Sequence, residues 1–190
     1  MGQDDRFILV GPNGSGKSTL LKVACGLLTA QEGAITVRGR PVTSRRQLFR
    51  AVSWMPQHVV PVAGLTVQEQ VRLSAWVAGV RARSLTSAVE EALQIAQLTA
   101  LARKKVRRLS GGQLRRVGYA EALARQGDVL LLDEPTAGLD EESLEALTSS
   151  LRSTPRPIVI ATHDTAAMAQ LQDFTIVGMA EVDPRRRSAA

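Results

Sequence analysis

A glycine-rich loop near the N-terminus constrains this sequence more than any other feature. Residues 11–18, Gly-Pro-Asn-Gly-Ser-Gly-Lys-Ser, match the pattern G-x-x-x-x-G-K-[ST]. An apolar run at residues 7–10 precedes the loop, and a helical pattern begins with Thr19-Leu20-Leu21. This order of strand, loop and helix is the context in which the pattern binds phosphate. The sequence therefore predicts an α/β domain with a phosphate site at this loop.

The residue types of the loop explain how phosphate would be held. Glycines allow backbone N–H groups to turn toward phosphate oxygens, and the N-terminus of the following helix adds the positive end of its dipole. Lys17 is expected to reach the β- and γ-phosphates of a nucleotide, and Ser18 to give Mg²⁺ a hydroxyl ligand. The predicted nucleotide-binding residues are Gly11, Pro12, Asn13, Gly14, Ser15, Gly16, Lys17, Ser18 and Thr19.

Length and composition fit one packed domain with room for an inserted subdomain. The 190 residues are 44% hydrophobic and 22% charged, and the net charge of +6 favours anionic partners, whether nucleotide, nucleic acid or anionic lipid. Cys25 is the only cysteine, which excludes an intrachain disulfide and predicts a reducing compartment. No apolar run approaches the roughly 18 to 20 residues that span a bilayer, so we expect neither a spanning helix nor a secretion signal.

Three continuous apolar runs predict the centre of a mostly parallel sheet. They are residues 7–10, 129–132 and 158–161, each of strand length and each followed by polar or glycine-containing sequence. Residues 34–37 and 52–55 are weaker strand candidates, which we place nearer the edge of the sheet.

Helical patterns fill the middle of the chain. Apolar residues recur at i, i+4 and i+8 over about residues 66–80, and Ser87 and Glu90 match a capping box that predicts the start of a second helix. Trp54 and Trp76 are expected to pack in the core or in this helical part.

These patterns predict a discontinuous architecture. Residues 58–108 form a helical subdomain inserted into an α/β core of residues 1–57 and 109–183. Residues 184–190 contain three arginines and no apolar anchor, which predicts a flexible basic tail.

Two carboxylates, Asp133 and Glu134, follow one of the apolar runs. Open α/β sheets bind their ligands at the carboxyl ends of strands, so Asp133 suits Mg²⁺ there. Because successive strand side chains point to opposite faces, Glu134 can instead orient or deprotonate a water that attacks the γ-phosphate. Alone, such a pair is more often a helix N-cap or a turn, but the phosphate loop favours the catalytic interpretation.

A second candidate anion site lies at residues 109–113. Ser110 and Gln113 match a capping box around Gly111 and Gly112, which predicts a helix start. The exposed backbone N–H groups and the Ser110 hydroxyl could accept a phosphate from outside, whereas the ordinary alternative is a plain helix start. A single bound nucleotide does not obviously need two such sites.

Taken together, these motifs resemble those of ATP-binding cassette (ABC) ATPases, the nucleotide-binding subunits of ABC transporters. The resemblance covers about residues 6 to 180 and rests on six motifs in the family's order. They are the Walker A loop at residues 11–19, Gln57 in Trp54-Met55-Pro56-Gln57, the signature at residues 109–113, the Walker B run that ends in Asp133-Glu134, Ala137-Gly138-Leu139-Asp140 resembling the D-loop, and Thr162-His163-Asp164 resembling the switch histidine.

The resemblance implies a P-loop NTPase fold that binds ATP and Mg²⁺. It also implies a head-to-tail dimer, in which the signature segment of one subunit closes over ATP on the Walker A loop of the other. The implied catalytic residues are Glu134, His163, Gln57 and Lys17, and the implied metal-site residues are Ser18, Gln57 and Asp133. Ser110 and Gly112 would contact the γ-phosphate in trans, Gly111 and Gln113 complete that turn, and Asp140 would link the two sites.

One feature departs from the family pattern. Two or three antiparallel strands and an aromatic residue that stacks on adenine usually precede the Walker A loop, whereas ten residues precede Gly11 here. We therefore expect the N-terminal antiparallel strands to be largely missing. Either the natural start lies upstream, or the module is truncated and binds adenine weakly.

The resemblance also implies a separately encoded membrane subunit, which would hold the chain at the inner face of the plasma membrane. Residues 65–71 and Leu114-Arg115-Arg116 resemble cassettes of bacterial exporters, so export is favoured over import. One alternative is a non-transport ABC ATPase of translation or DNA repair, whose basic cluster at residues 103–108 would meet nucleic acid. No aromatic residues interleave that cluster, which disfavours this partner. Another alternative is a truncated cassette that does not hydrolyse ATP.

Overall fold

The computed structural model describes residues 5–37, 39–42 and 44–179 of the chain. The strands in this part are β1 (Arg6–Val10), β2 (Thr36–Val37), β3 (Arg40–Pro41), β4 (Val52–Met55), β5 (Val129–Asp133), β6 (Ile158–Ala161) and β7 (Thr175–Gly178). The helices are α1 (Lys17–Ala24), α2 (Arg45–Ala51), α3 (Val67–Val77), α4 (Ala82–Ile95), α5 (Gly111–Ala124), α6 (Glu141–Arg152) and α7 (Thr165–Gln170), with single 3₁₀ turns at Thr99–Leu101 and Val106–Arg108. The predicted tail at residues 184–190 lies outside the described residues.

Five strands form a parallel sheet in the order β4-β5-β6-β1-β7. The three continuous apolar runs of the sequence are its central strands β1, β5 and β6, as predicted. Strand β4 lies at one edge, also as predicted. Helices cover both faces of such a sheet, and this is why the central strands are apolar along their whole length.

Alternate side chains of the central strands separate into two cores. Ile8 and Leu132 face the larger core, which the helices of the second half of the chain complete. Leu9 and Leu131 face the opposite side and pack with Leu21 of α1. This alternation is the period of two expected for a strand buried on both faces.

The side of the sheet that carries α1 is only partly covered. An open cavity of about 700 Å³ lies along it, and its lining includes Phe7, Val129 and Val159 from three neighbouring strands. Most of the side chains that line this cavity are apolar. The sheet therefore exposes part of an apolar face.

The predicted helix over residues 66–80 is confirmed as α3. Thr66 caps it: its hydroxyl accepts from the backbone N–H of Glu69 at 3.3 Å, and the Glu69 carboxylate accepts from the backbone N–H of Thr66 at 2.7 Å. Val71 and Ala75 are fully buried on one face of this helix. Trp76 lies about 100° further round the helix and is 65% exposed, so the prediction that it packs in the interior is wrong.

The helix start predicted at Ser87 is also wrong. Helix α4 begins at Ala82, and the Ser87 hydroxyl lies within it and donates to the carbonyl of Ser84 at 3.1 Å. The reason is that the buried stripe of α4 starts before Ser87, at Leu85, and continues through Ala88 and Val89. Burial of this stripe outweighs the local capping signal.

The prediction for residues 34–37 is right in part. Thr36–Val37 is a strand, but it pairs antiparallel with β3 in a separate two-stranded hairpin and does not join the main sheet. Gly39, with φ of 73°, supplies the left-handed conformation that closes this hairpin. Local pairing across the hairpin therefore replaces pairing with the sheet edge.

Besides strand β3, three further elements were missed from the sequence. Helix α2 has a capping box formed by Ser44 and Gln47, a signal that could have found it. Strand β7 pairs with β1 at the sheet edge and is exposed along its length, so it lacks the apolar pattern of the central strands. Helix α7 spans only six residues, too few for a helical pattern to emerge. Across the described part of the chain, no helix is both long enough and apolar enough to cross a bilayer.

Candidate active site

The sheet brings the predicted site residues to one edge. The glycine-rich loop leaves the carboxyl end of β1, and Asp133 is the last residue of β5, opposite Ala161 of β6 in the register. Met55, the last residue of β4, pairs with Leu132 beside it, which places Gln57 just beyond the same edge. The parallel strands thus bring together, at one edge of the sheet, candidate site residues that are more than a hundred residues apart in the sequence.

The glycine-rich loop has the backbone geometry that phosphate binding requires. Gly14 and Gly16 have φ of 86° and 92°, and Gly16 is the N-cap of α1. Lys17 begins the helix and is only 6% exposed, and its ammonium donates to the carbonyls of Gly11 at 2.7 Å and Pro12 at 3.1 Å. The loop therefore holds a buried positive charge beside a helix N-terminus, where anions are stabilised.

Gly11 is required by close packing. A Cβ atom at this position would lie 2.7 Å from the carbonyl oxygen of Met179 and 2.7 Å from the Ser15 hydroxyl. The backbone N–H of Met179 donates to the carbonyl of Val10, so the strand after α7 holds this end of the loop in place.

Ser18 and Asp133 form a pair that suits a hard cation. The Ser18 hydroxyl donates to the Asp133 carboxylate at 2.8 Å, and Asp133 is 2% exposed. A hydroxyl and a carboxylate oxygen are donors of the kind Mg²⁺ prefers, so these two residues fit the implied metal. Gln57 lies near the same edge, but its side chain is exposed and hydrogen-bonds to no other residue in the described part of the chain.

Glu134 lies just past the end of β5, with a left-handed backbone (φ 48°), so strand alternation is not what separates it from Asp133. Its backbone N–H donates to the carbonyl of Ala161 at 2.8 Å. One carboxylate oxygen accepts from the Thr162 hydroxyl at 3.1 Å, and the other lies 2.8 Å from Nδ1 of His163. A non-glycine residue persists in this conformation only where such contacts fix it.

The two carboxylates therefore have different partners. Asp133 is directed to Ser18 on the loop side, and Glu134 to His163 on the β6 side. These two contacts place Lys17, Ser18, Asp133, Glu134 and His163 near one edge of the sheet.

The signature turn begins α5 as predicted. The Ser110 hydroxyl accepts from the backbone N–H of Gln113 at 3.2 Å, and the Gln113 side chain accepts from the backbone N–H of Ser110 at 3.3 Å. Gly111 has open space where a Cβ would be, whereas a Cβ at Gly112 would overlap the side chain of Ser143. In the described part of the chain, no hydrogen bond joins this turn to the glycine-rich loop.

Asp140 caps the neighbouring helix α6. Its carboxylate accepts from the backbone N–H of Ser143 at 2.8 Å, and the hydrogen bonds from Ser143 lower the pKa of Asp140. Because Ser143 also packs against Gly112, Asp140 and the signature turn are neighbours. The structure thus groups the predicted residues into two clusters, one at the loop edge and one at the start of α5 and α6.

Sequence analysis named Arg115 only in the exporter resemblance and did not place it at the site, where it contacts the loops after β4 and β5. Its guanidinium donates to the carbonyl of Gln57 and to the carbonyl of Ala137, the latter at 3.2 Å. Burial lowers the pKa of Arg115, and the charge of Glu134 raises it. Both hydrogen-bond partners of Arg115 are distant along the chain. The neighbouring sequence therefore gives no signal that distinguishes Arg115 from Arg116.

Known proteins match this chain over most of its length. A family model described as "ABC transporter" matches residues 1–137. The sulfate/thiosulfate import ATP-binding protein CysA of Synechococcus elongatus is 36% identical over 173 residues, which cover 89% of this chain and 50% of that protein. The Nod factor export ATP-binding protein I of Burkholderia thailandensis is 39% identical over 161 residues, which cover 83% of this chain and 53% of that protein.

A solved structure shares the fold. The dimeric structure of MJ0796, a bacterial ABC transporter cassette, superposes with a TM-score of 0.78 at 25% identity, over 95% of this chain and 83% of that one. The chain spans about half the length of the two curated relatives above. The predicted P-loop NTPase fold is thereby confirmed. The fold of the chain, the order of its motifs and the region matched by the family model all point to the same family. The chain belongs to the ABC transporter family as an ATP-binding cassette.

Proposed function

We propose that this chain binds and hydrolyses ATP with Mg²⁺ and drives a separate membrane subunit. The observation that carries the proposal is the division of partners at the edge of the sheet, where Asp133 contacts Ser18 and Glu134 contacts His163. Phosphoryl transfer needs positioning and neutralisation of charge, and this edge offers a site for the metal beside a site for the attacking water.

Each residue at the edge has a role in this proposal. Lys17 moves from the loop carbonyls to the β- and γ-phosphates, and its charge offsets theirs. Ser18, Asp133 and Gln57 would hold Mg²⁺, which when bound would supply positive charge to offset the charge on the phosphate oxygens. Glu134 orients the attacking water and accepts its proton. His163, bonded to Glu134, stabilises the transferring phosphoryl group.

We propose that the second cluster acts on ATP held by another subunit. The open space at Gly111 leaves the first turn of α5 accessible to a phosphate, and the Ser110 hydroxyl still has a proton to donate. MJ0796 is a dimer in its solved structure, which supports a head-to-tail pair of this chain or pairing with another cassette. Asp140, adjacent to this turn, would link the two sites.

The membrane subunit is proposed to dock on α3. Leu73, Trp76 and Val77 are exposed apolar side chains near the C-terminal end of this helix. The curated relatives are named as ATP-binding proteins of import and export systems, so a transport partner accounts for this surface. On this proposal residues 58–108 move as a helical unit against the core, and the chain lies at the inner face of the plasma membrane. Export stays a prediction, because importers match at similar identity.

The proposal is tested by Mg²⁺-dependent ATP hydrolysis over a range of protein concentrations. The rate per subunit is expected to rise with concentration, because the site is complete only in a dimer. Glu134→Gln is expected to lower kcat by about 100-fold or more and to trap an ATP-bound dimer, since it removes the base. Lys17→Ala is expected to weaken nucleotide binding itself.

Exposed residues provide matched controls. Glu90 and Lys104 lie on the surface, and Glu90→Gln and Lys104→Ala repeat the same chemical changes away from the site. Unchanged hydrolysis in Glu134→Gln and Lys17→Ala would overturn the proposal. A rate per subunit that is independent of concentration would overturn the composite site but not the ATPase.

A further inference from the structure

Arg115 joins two loops that are far apart in the sequence. One nitrogen of its guanidinium donates to the carbonyl of Gln57, just after β4, and the other donates to the carbonyl of Ala137, just after β5. The planar guanidinium fixes both donors in one geometry. This side chain therefore bridges the two carbonyls.

The same face of α5 makes a second contact with the loop after β4. Gly118 follows Arg115 by three residues, and a Cβ atom at Gly118 would overlap the side chain of Val59. Residues three apart lie on one face of a helix, so α5 contacts the loop after β4 through Arg115 and Gly118 together.

Ala137 occupies the middle of the second loop. It lies three residues after Glu134 and three residues before Asp140, and its backbone N–H points to the carbonyl of Glu134 at 3.4 Å. A hydrogen bond to the carbonyl of Ala137 therefore restrains the turn between Glu134 and Asp140. The charge of Glu134 is also close enough to act on Arg115.

We propose that Arg115 is a positioning residue, which holds the loops of Gln57 and Ala137 at the spacing that hydrolysis requires. The inference rests on the proposed ATPase function. Helix α5 begins with the signature turn. A movement of this helix would therefore displace both loops, because Arg115 is bonded to each of them. Arg115 touches neither nucleotide nor metal in this proposal, and it acts through Gln57 and Glu134.

The test compares Arg115→Gln and Arg115→Lys with Arg108→Gln. Arg108 is an exposed arginine immediately before the signature at residues 109–113, so it controls for loss of charge. Arg115→Gln is expected to lower kcat by about 10- to 100-fold, since displacement of about 1 Å has effects of this size. KM for ATP should stay within about twofold, because the glycine-rich loop is untouched. Half-saturating Mg²⁺ should rise several-fold, because Gln57 is displaced.

Arg115→Lys keeps the charge but cannot bond both carbonyls in a fork, so an intermediate kcat is expected. Amide hydrogen exchange gives a readout that does not need hydrolysis. Exchange at residues 56–62 and 135–140 should speed up in Arg115→Gln and stay unchanged in Arg108→Gln. Unchanged exchange in both segments, or a kcat equal to that of Arg108→Gln, would overturn the assignment. Failure of the wild-type chain to hydrolyse ATP would instead count against the proposed function, and the exchange result would still decide on Arg115.

Discussion

The two glycines that begin α5 have opposite surroundings. A Cβ at Gly111 meets nothing within 4 Å, whereas a Cβ at Gly112 would overlap the side chain of Ser143 on α6. Gly112 is therefore explained by packing within the chain. Gly111 is not, and its open surface leaves room beside the turn for a phosphate from another subunit, which Ser110 and Gly112 are expected to contact.

Substitution of each glycine by alanine distinguishes an effect on stability from an effect on hydrolysis. Gly112→Ala is expected to lower the free energy of unfolding by about 1–3 kcal/mol, the usual cost of overpacking. Gly111→Ala is expected to stay within about 1 kcal/mol of the wild type, because the new methyl group has room and alanine favours a helix. Urea denaturation measures both values.

Hydrolysis by the same variants tests the site in trans. If Gly111 faces the partner's nucleotide, Gly111→Ala should slow hydrolysis by about tenfold or more, because a phosphate can no longer approach the backbone closely. A stable Gly111→Ala protein with wild-type turnover would contradict the role of this turn.

The residues that sequence analysis found and missed differ in one respect. Lys17, Ser18, Asp133 and Glu134 belong to local patterns, in which a few neighbouring residues fix the backbone and its chemistry. The bonds of Arg115 span 58 and 22 residues, and only the folded chain brings those partners together. Single-sequence patterns carry no information on such contacts.

At the scale of elements, a buried polar link joins α3 to α5. Gln70, 3% exposed, donates to the carbonyl of Val60 at 3.1 Å and to Glu121 at 2.7 Å, and it accepts from the backbone N–H of Val62 at 2.8 Å. The loop that begins at Gln57 is thus fixed to both helices. Burial raises the pKa of Glu121 to about 7, although the bond from Gln70 acts in the opposite direction.

This raised pKa predicts that stability falls as pH rises. Between about pH 4.5 and pH 7 the folded chain keeps a proton on Glu121 that the unfolded chain has released, so the free energy of unfolding decreases with pH over this window. Glu121→Gln stays neutral and can still accept from Gln70. It is expected to gain stability over the wild type as pH increases, on the order of 1–3 kcal/mol by pH 8.

Urea denaturation at pH 5 and pH 8 checks this difference. Glu90→Gln serves as the control, because Glu90 is exposed on the neighbouring helix α4. Parallel pH profiles for wild type and Glu121→Gln would show that the Glu121 carboxylate is not destabilising in the folded chain.

Sequence patterns predicted elements well where no local signal competed with the pattern of burial. The central strands are apolar throughout, and α3 combines a capping box with a buried stripe. The errors arose where two signals competed: at Ser87 a capping pattern lies inside a helix whose buried stripe starts earlier, and at residues 34–37 a local hairpin replaces a sheet edge. Tertiary packing decides such cases.

At the scale of the whole molecule, the two sides of the sheet are unequal. One side carries the large core, and the other leaves an open apolar cavity beside α1. Exposed apolar surface of this extent promotes association that needs no nucleotide. The protein is therefore expected to bind a hydrophobic fluorescent dye while still folded, and a dye signal that appears only on unfolding would contradict this.

The open cavity is expected to give the molecule a second way to self-associate, distinct from the closure proposed for ATP. Contacts between apolar faces strengthen with sulfate and weaken on cooling, whereas closure over ATP depends on nucleotide and on Glu134. Sedimentation without nucleotide, at several temperatures, measures the first mode alone. We therefore expect association through this cavity to weaken on cooling and to need no nucleotide, whereas the dimer proposed above should form only with ATP.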